Sequence, residues 1–77
     1  MPTVQVNLYA GLRGYIGGKA SVTVQIATDQ TIQNVLTELE IPTEQTRILF
    51  VNGRPATTDT PVKEGDQLGI FPAIGGG

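Results

Sequence analysis

The spacing of apolar residues changes period along this chain, and the change limits the folds open to it. Apolar and polar residues alternate over 3–9 and again over 20–27, which predicts two half-buried strands. The segment 10–19 between them holds four glycines and predicts the loop of a hairpin. A chain that begins in this way forms a sheet with one apolar face, and another element must cover that face.

A helical period replaces the alternation in the middle of the chain. Four apolar residues fall at i, i+3, i+4 and i+7, so they share one face of a helix: Ile32, Val35, Leu36 and Leu39. We predict a helix over 31–40, capped at its start by Thr31 or Asp29. Pro42 limits the other end because the residue before a proline disfavours the α conformation. One helix laid across a sheet gives a two-layer α+β domain.

Strand signals return after the helix. Residues 47–51 predict a third strand, and Asn52-Gly53 is the dipeptide favoured in type I′ hairpin turns. A short fourth strand over 54–57 folds back there, and a last strand follows over 68–71. The predicted inward positions of the third and last strands are Ile48, Phe50, Leu68 and Ile70. Alternation then places Leu49 and Phe71 on the opposite face, where they form a candidate docking patch or ordinary exposed apolar surface.

Composition excludes several kinds of chemistry. The 77 residues form one domain and include no cysteine and no histidine, so disulfides, thiolate metal sites and histidine-based triads are excluded. The seven acidic residues are scattered singly, so we expect no metal site. Gly18-Lys19 fails the phosphate-loop pattern because Arg13 stands at the leading glycine position and Ala20 replaces Ser or Thr.

Charge and the N-terminal segment limit the partners. A net charge of −2 with five cations leaves no basic stripe, so we expect no binding to nucleic acid. The first residues show no charged and apolar signal segment, and the sequence contains no apolar run long enough to span a bilayer. We therefore expect a cytoplasmic protein with no membrane partner.

Three segments carry a resemblance to a known family. Residues 31–35, TIQNV, and the stretch from 41–42, IP, to 47–50, RILF, resemble ubiquitin. The ending FPAIGGG at 71–77 resembles that of the MoaD/ThiS sulfur carriers, and LYAGLR at 8–13 is similar to MoaD in particular. Two positions depart from the pattern, because Gly75 stands where a small residue such as Ala is usual and Ala73 where a second Pro is usual.

The resemblance implies a fold and a division of the chain. It implies a ubiquitin-like β-grasp, in which a mixed sheet of four to five strands is crossed by one main helix. Residues 1–71 would form this domain, and residues 72–77 a flexible C-terminal Gly-Gly tail. Glycine has no Cβ, so Gly75, Gly76 and Gly77 can pass a narrow channel.

The resemblance also implies a function without catalysis by the chain itself. Gly77 would be the site of adenylation and thiocarboxylate formation, and ATP would be used by the activating partner rather than bound permanently. The implied partners are an adenylating enzyme related to ubiquitin-activating enzymes, of the MoeB/ThiF kind, a large synthase subunit of the MoaE kind, and a sulfur donor protein. The candidate partner-binding residues are Leu49, Phe71, Pro72, Ile74 and Arg13, although Arg13 is equally interpreted as a solvated loop arginine.

The acceptor of the sulfur is left open by the sequence. The resemblance favours the small subunit of a molybdopterin-synthase-like complex, which serves molybdenum cofactor biosynthesis. One alternative is sulfur supply for thiazole, and hence thiamine, or for cysteine. Others are a ubiquitin-like modifier joined through Gly77 to lysines of other proteins, and an interaction module with an inert tail.

Overall fold

The computed structural model describes residues 2–72. Within that part the chain forms five strands, one α-helix and two short 3-10 helices. The strands are β1 (Thr3–Leu8), β2 (Ser21–Gln25), β3 (Thr46–Val51), β4 (Arg54–Ala56) and β5 (Gln67–Pro72). The α-helix, α1, is Ile32–Glu38, and the 3-10 helices are Ala10–Ile16 and Thr43–Gln45.

The five strands form one mixed sheet in the order β2-β1-β5-β3-β4. The central strand, β5, runs parallel to its neighbour β1, with Val6 beside Leu68 and Leu8 beside Ile70. The other neighbours are antiparallel. The strand that leads to the C-terminal segment therefore lies in the middle of the sheet, paired on both sides.

One apolar face of the sheet packs against the single α-helix. Residues of β1 alternate between half-buried and buried, as the period-2 pattern predicts. The apolar face of α1 supplies Ile32, Val35 and Leu36, each at most 1% exposed, to the same cluster. This arrangement confirms the predicted α+β class and the ubiquitin-like β-grasp.

The local signals at the helix start and in the hairpin turn are also confirmed. Thr31 is the N-cap of α1, and its backbone N–H donates to Asn34 Oδ1 at 2.9 Å. Asn52 and Gly53 between β3 and β4 have φ values of +52° and +82°. A type I′ turn needs positive φ at both positions, and Asn and Gly tolerate it best.

The segment predicted as a loop is partly helical. The 3-10 helix Ala10–Ile16 lies within it and ends at Gly17, whose φ of +73° suits glycine. Leu12 is 2% exposed and belongs to the core cluster. The glycine content concealed this helix, although Leu12, Tyr15 and Ile16 fall at i, i+3 and i+4.

The predicted facing of β3 is wrong. Leu49 is 7% exposed and lies in the core, whereas Ile48 is 46% exposed. The cause is the pairing with β5, in which Leu49 lies opposite Ile70 and Ile48 opposite Phe71. Residues directly opposite in an antiparallel pair share a face. The core position of Ile70 therefore carries Leu49 inward.

Candidate functional site

Three aromatic rings meet on the face of the sheet opposite α1, at the end where β5 leads into the C-terminal segment. Tyr9 and Phe71 stack with ring centroids 4.2 Å apart and planes 5° from parallel. Phe50 meets Phe71 edge to face at 5.7 Å. Aromatic pairs in these two geometries contribute about 0.5–1.5 kcal/mol beyond their buried area. We call Tyr9, Phe50 and Phe71 the aromatic cluster.

Strand register brings these residues together from distant parts of the chain. Leu8 pairs with Ile70 across β1 and β5, so Tyr9 follows directly beside Phe71. Phe50 lies opposite Gly69 on β3 and β5. A Cβ at Gly69 would lie 3.7 Å from Phe50 Cβ and 3.8 Å from the Tyr9 ring. The absence of a side chain at Gly69 thus leaves the space between the Phe50 Cβ and the Tyr9 ring open.

Ile48 extends the apolar surface beyond the rings. It pairs with Phe71 in the β3–β5 register and therefore lies on the same face. Ile48 and Tyr15 are the two exposed side chains among the large apolar and aromatic ones of the described residues. Ile48 and the aromatic cluster together form an apolar strip beside the exit of β5.

The predicted partner-binding residues occupy different places in the structure. Phe71 is half-buried within the aromatic cluster, and Pro72 is half-buried at the end of β5, opposite Thr46. Leu49 was predicted as exposed, and this is corrected, because its side chain lies in the core on the α1 side. The remaining predicted residues in this region, Ile74 and Gly75 to Gly77, lie outside the described residues.

Arg13 is exposed, but it is not simply a free loop arginine. Its Nε donates a hydrogen bond to the carbonyl oxygen of Leu8 at 3.1 Å. The bond ties the 3-10 helix to the end of β1, next to Tyr9. Arg13 thus positions the segment that follows Tyr9, whatever else its guanidinium contacts.

Tyr9, Phe50 and Ile48 were not predicted as site residues. Tyr9 could have been found, because the alternation that buries Val6 and Leu8 places the next residue on the outer face. Phe50 and Ile48 could not, because the apolar run of β3 shows no alternation and both were assigned to the core.

Neither the metal-ligating side chains nor the helices of residues 2–72 form another kind of site. No group of three or more acidic, histidine or cysteine side chains is placed there to hold a metal ion. Nor does that part of the chain contain a helix long and apolar enough to cross a membrane. The apolar strip is therefore the surface feature of the described residues that best suits a macromolecular partner.

The fold defines the class as a small ubiquitin-like β-grasp protein. More specifically, the chain belongs to the ThiS family, whose family model matches residues 6–77. The predicted MoaD/ThiS resemblance is thereby confirmed. No curated protein sequence matches the chain significantly.

Solved structures share the fold at low sequence identity. A Pyrococcus furiosus protein provisionally assigned as molybdopterin converting factor subunit 1 superposes with a TM-score of 0.76 at 20% identity, covering 96% of this chain and 100% of its own. Small archaeal modifier protein 1 of Haloferax volcanii gives 0.78 at 21%, covering 96% and 100%. ThiS from Geobacter metallireducens gives 0.57 at 23%, covering 95% and 99%.

Proposed function

We propose that this chain is a sulfur carrier, adenylated at Gly77 and carrying sulfur there as a thiocarboxylate, for molybdopterin biosynthesis. The observation that carries the proposal is the extent of the family match, which runs to residue 77 and so includes the three terminal glycines. The position of β5 supports it, because a strand paired on both sides leads into these glycines. In an extended conformation, three residues would span about 10 Å.

The proposed chemistry needs activation by a partner. A free carboxylate is ionised at neutral pH and is a poor electrophile. A carboxylate oxygen of Gly77 would attack the α-phosphorus of ATP, and pyrophosphate would leave to give an acyl-adenylate. A persulfide sulfur on a donor protein would then attack the acyl carbon and displace AMP, and cleavage of its S–S bond by a thiol would release the thiocarboxylate.

The carrier contributes position rather than catalysis in this scheme. It has no histidine or cysteine to serve as base or nucleophile. The adenylating enzyme would supply those groups and bind ATP. The apolar strip of Ile48 and the aromatic cluster would dock on the enzyme and, later, on a large synthase subunit, while Pro72 and Ile74 guide the tail. Arg13, fixed at the end of β1, would contact an acidic group of a partner.

The first test is direct observation of the modified residue. With an adenylating enzyme, ATP and a sulfur donor, we expect the intact chain to gain the mass difference between sulfur and oxygen. Fragmentation should place that gain on Gly77. The matched control is the same mixture without ATP, which should leave the mass unchanged. A sulfur gain elsewhere in the chain, or none with any cognate enzyme, would refute the carrier proposal.

A second test addresses docking. We expect Phe71→Ala to weaken binding to the adenylating enzyme by about 30-fold or more, since a central interface residue is worth about 2 kcal/mol or more on truncation. The control is Tyr15→Ala, which removes an exposed aromatic ring that lies outside the aromatic cluster. Titration calorimetry on both folded variants measures the difference. Equal affinities for the two variants would contradict docking through the aromatic cluster.

Two other experimental outcomes would replace molybdopterin synthase as the proposed partner that receives the product of Gly77 activation. The likeness of fold to a small archaeal modifier supports conjugation through Gly77 as a second candidate. Lysine-linked products in the mass experiment, without any thiocarboxylate, would favour that candidate. In a pull-down with this chain as bait, a thiazole-forming or cysteine-forming enzyme could be retained instead of a large molybdopterin synthase subunit. That result would support the carrier chemistry and change the proposed pathway.

A further inference from the structure

A compact hydrogen-bond network lies around Asn52, where the end of β3 meets the start of β5. The Asn52 side chain donates from Nδ2 to Asp66 Oδ1 at 3.0 Å and accepts at Oδ1 from the Gln67 N–H at 2.9 Å. Its backbone N–H donates to the Gln67 carbonyl oxygen at 2.7 Å. Three bonds therefore hold one turn residue against the start of β5.

Asp66 is the fixed member of this network. It is the buried acidic residue of the described part, 5% exposed, and its second oxygen accepts from the Lys63 N–H at 2.9 Å. Both carboxylate oxygens are thus occupied, and hydrogen bonds to a carboxylate are stronger than neutral ones. The Asn52 amide is held by a rigid acceptor even though Asn52 is itself exposed.

The residue that follows gives this amide a chemical liability. Asn52 precedes Gly53, which has no side chain to hinder attack by its own backbone nitrogen on the Asn52 Cγ. That attack forms the N–Cγ bond of a five-membered succinimide and breaks the Cγ–Nδ2 bond. The Gly53 amide loses its proton to solvent, and the departing nitrogen takes one up from solvent and leaves as ammonia. Water then opens the ring to aspartate or isoaspartate, with no oxidation or reduction.

We propose that Asn52 is a latent deamidation site, and that its hydrogen bonds to Asp66 and Gln67 slow the reaction by holding the side-chain amide in place. For the ring to form, the amide must rotate out of this network, so the reaction requires local opening of the turn. The products cannot restore the network. Aspartate places an acceptor where Asp66 needs a donor, and isoaspartate adds a backbone carbon to a two-residue turn. Deamidation would therefore release the start of β5, the strand that leads to the C-terminal glycines.

The rate of deamidation in the whole folded chain tests this. We expect Asn52 to deamidate at least about tenfold more slowly in buffer than in denaturing urea, because local opening limits the reaction. Asp66→Ala should raise the rate in buffer about tenfold or more, the size expected for loss of a charge-assisted hydrogen bond. Asp66→Asn, which keeps one acceptor oxygen, should fall between. Peptide mass spectrometry locates the change, with Asn7 and Asn34 as internal controls.

A matched variant separates this effect from general loss of stability. Val35→Ala removes core contacts of α1, which is far along the chain from the network. After deamidation through the unfolded fraction is subtracted, its rate should lie within about twofold of that of the natural chain. If Asp66→Ala does not fold, the comparison of Asp66→Asn with Val35→Ala decides. Equal rates in buffer and urea for the natural chain would overturn the proposal. So would equal acceleration by Asp66→Asn and Val35→Ala.

Discussion

Removing Gly77, or adding one residue after it, is expected to abolish sulfur transfer while the midpoint of thermal unfolding stays within about 2 °C, as for a change outside the core. The fourteen buried apolar side chains of the described residues form one cluster between Val4 and Ile70, and neither change alters any of them. The chemistry requires the carboxylate of Gly77 itself. Either change removes that group or moves it by a full residue, about 3.5 Å, which a pre-organised active site does not tolerate.

The control for this experiment is a single glycine added before Met1, which lengthens the chain equally and leaves the tail unchanged. That form should transfer sulfur at the rate of the natural chain. Melting curves by circular dichroism and a thiocarboxylate assay on all three variants give the comparison. Full activity of the form extended after Gly77 would rule out its carboxylate as the reacting group.

Periodicity in the sequence was enough to predict most of the sheet and the helix. In β1 polar residues separate Val4, Val6 and Leu8, so one register alone buries all three. The helical spacing that begins at Ile32 is equally clear, and the predicted helix contains the observed Ile32–Glu38. These elements have strong patterns because each buries one face and leaves the other in water.

The facing of β3 could not be predicted because Ile48 to Val51 are all apolar. A run without polar residues is compatible with either face inward. The choice is made by pairing with β5, where the register shifts between Thr46 and Ile48 and then sets Leu49 beside Ile70. That irregularity is a property of two strands together, so neither strand alone could have revealed it.

One part of the candidate site could likewise be predicted from the sequence, and the other part could not. The glycines at 75–77 could be recognised in the sequence because their proposed role depends on residue type and position alone. The aromatic cluster could not, because Tyr9 and Phe71 meet only through the parallel pairing of β1 and β5. Parallel pairing joins residues that are far apart in sequence, and alternation within a strand does not reveal its neighbour.

The neighbouring residues Leu49 and Ile48 give the strongest test of this facing, because one substitution should have opposite consequences at the two positions. Leu49→Glu places a carboxylate in the core, where an unpaired charge costs several kcal/mol, comparable with the whole stability of a small domain, about 5–15 kcal/mol. We expect Leu49→Glu to be largely unfolded at 25 °C. Ile48→Glu, on the exposed strip, should keep a cooperative melting transition and lose affinity for the adenylating enzyme about tenfold or more. Circular dichroism and calorimetry distinguish the two variants. A folded Leu49→Glu beside an unfolded Ile48→Glu would show that β3 turns its other face to the core, as a one-residue shift of its register on β5 would cause.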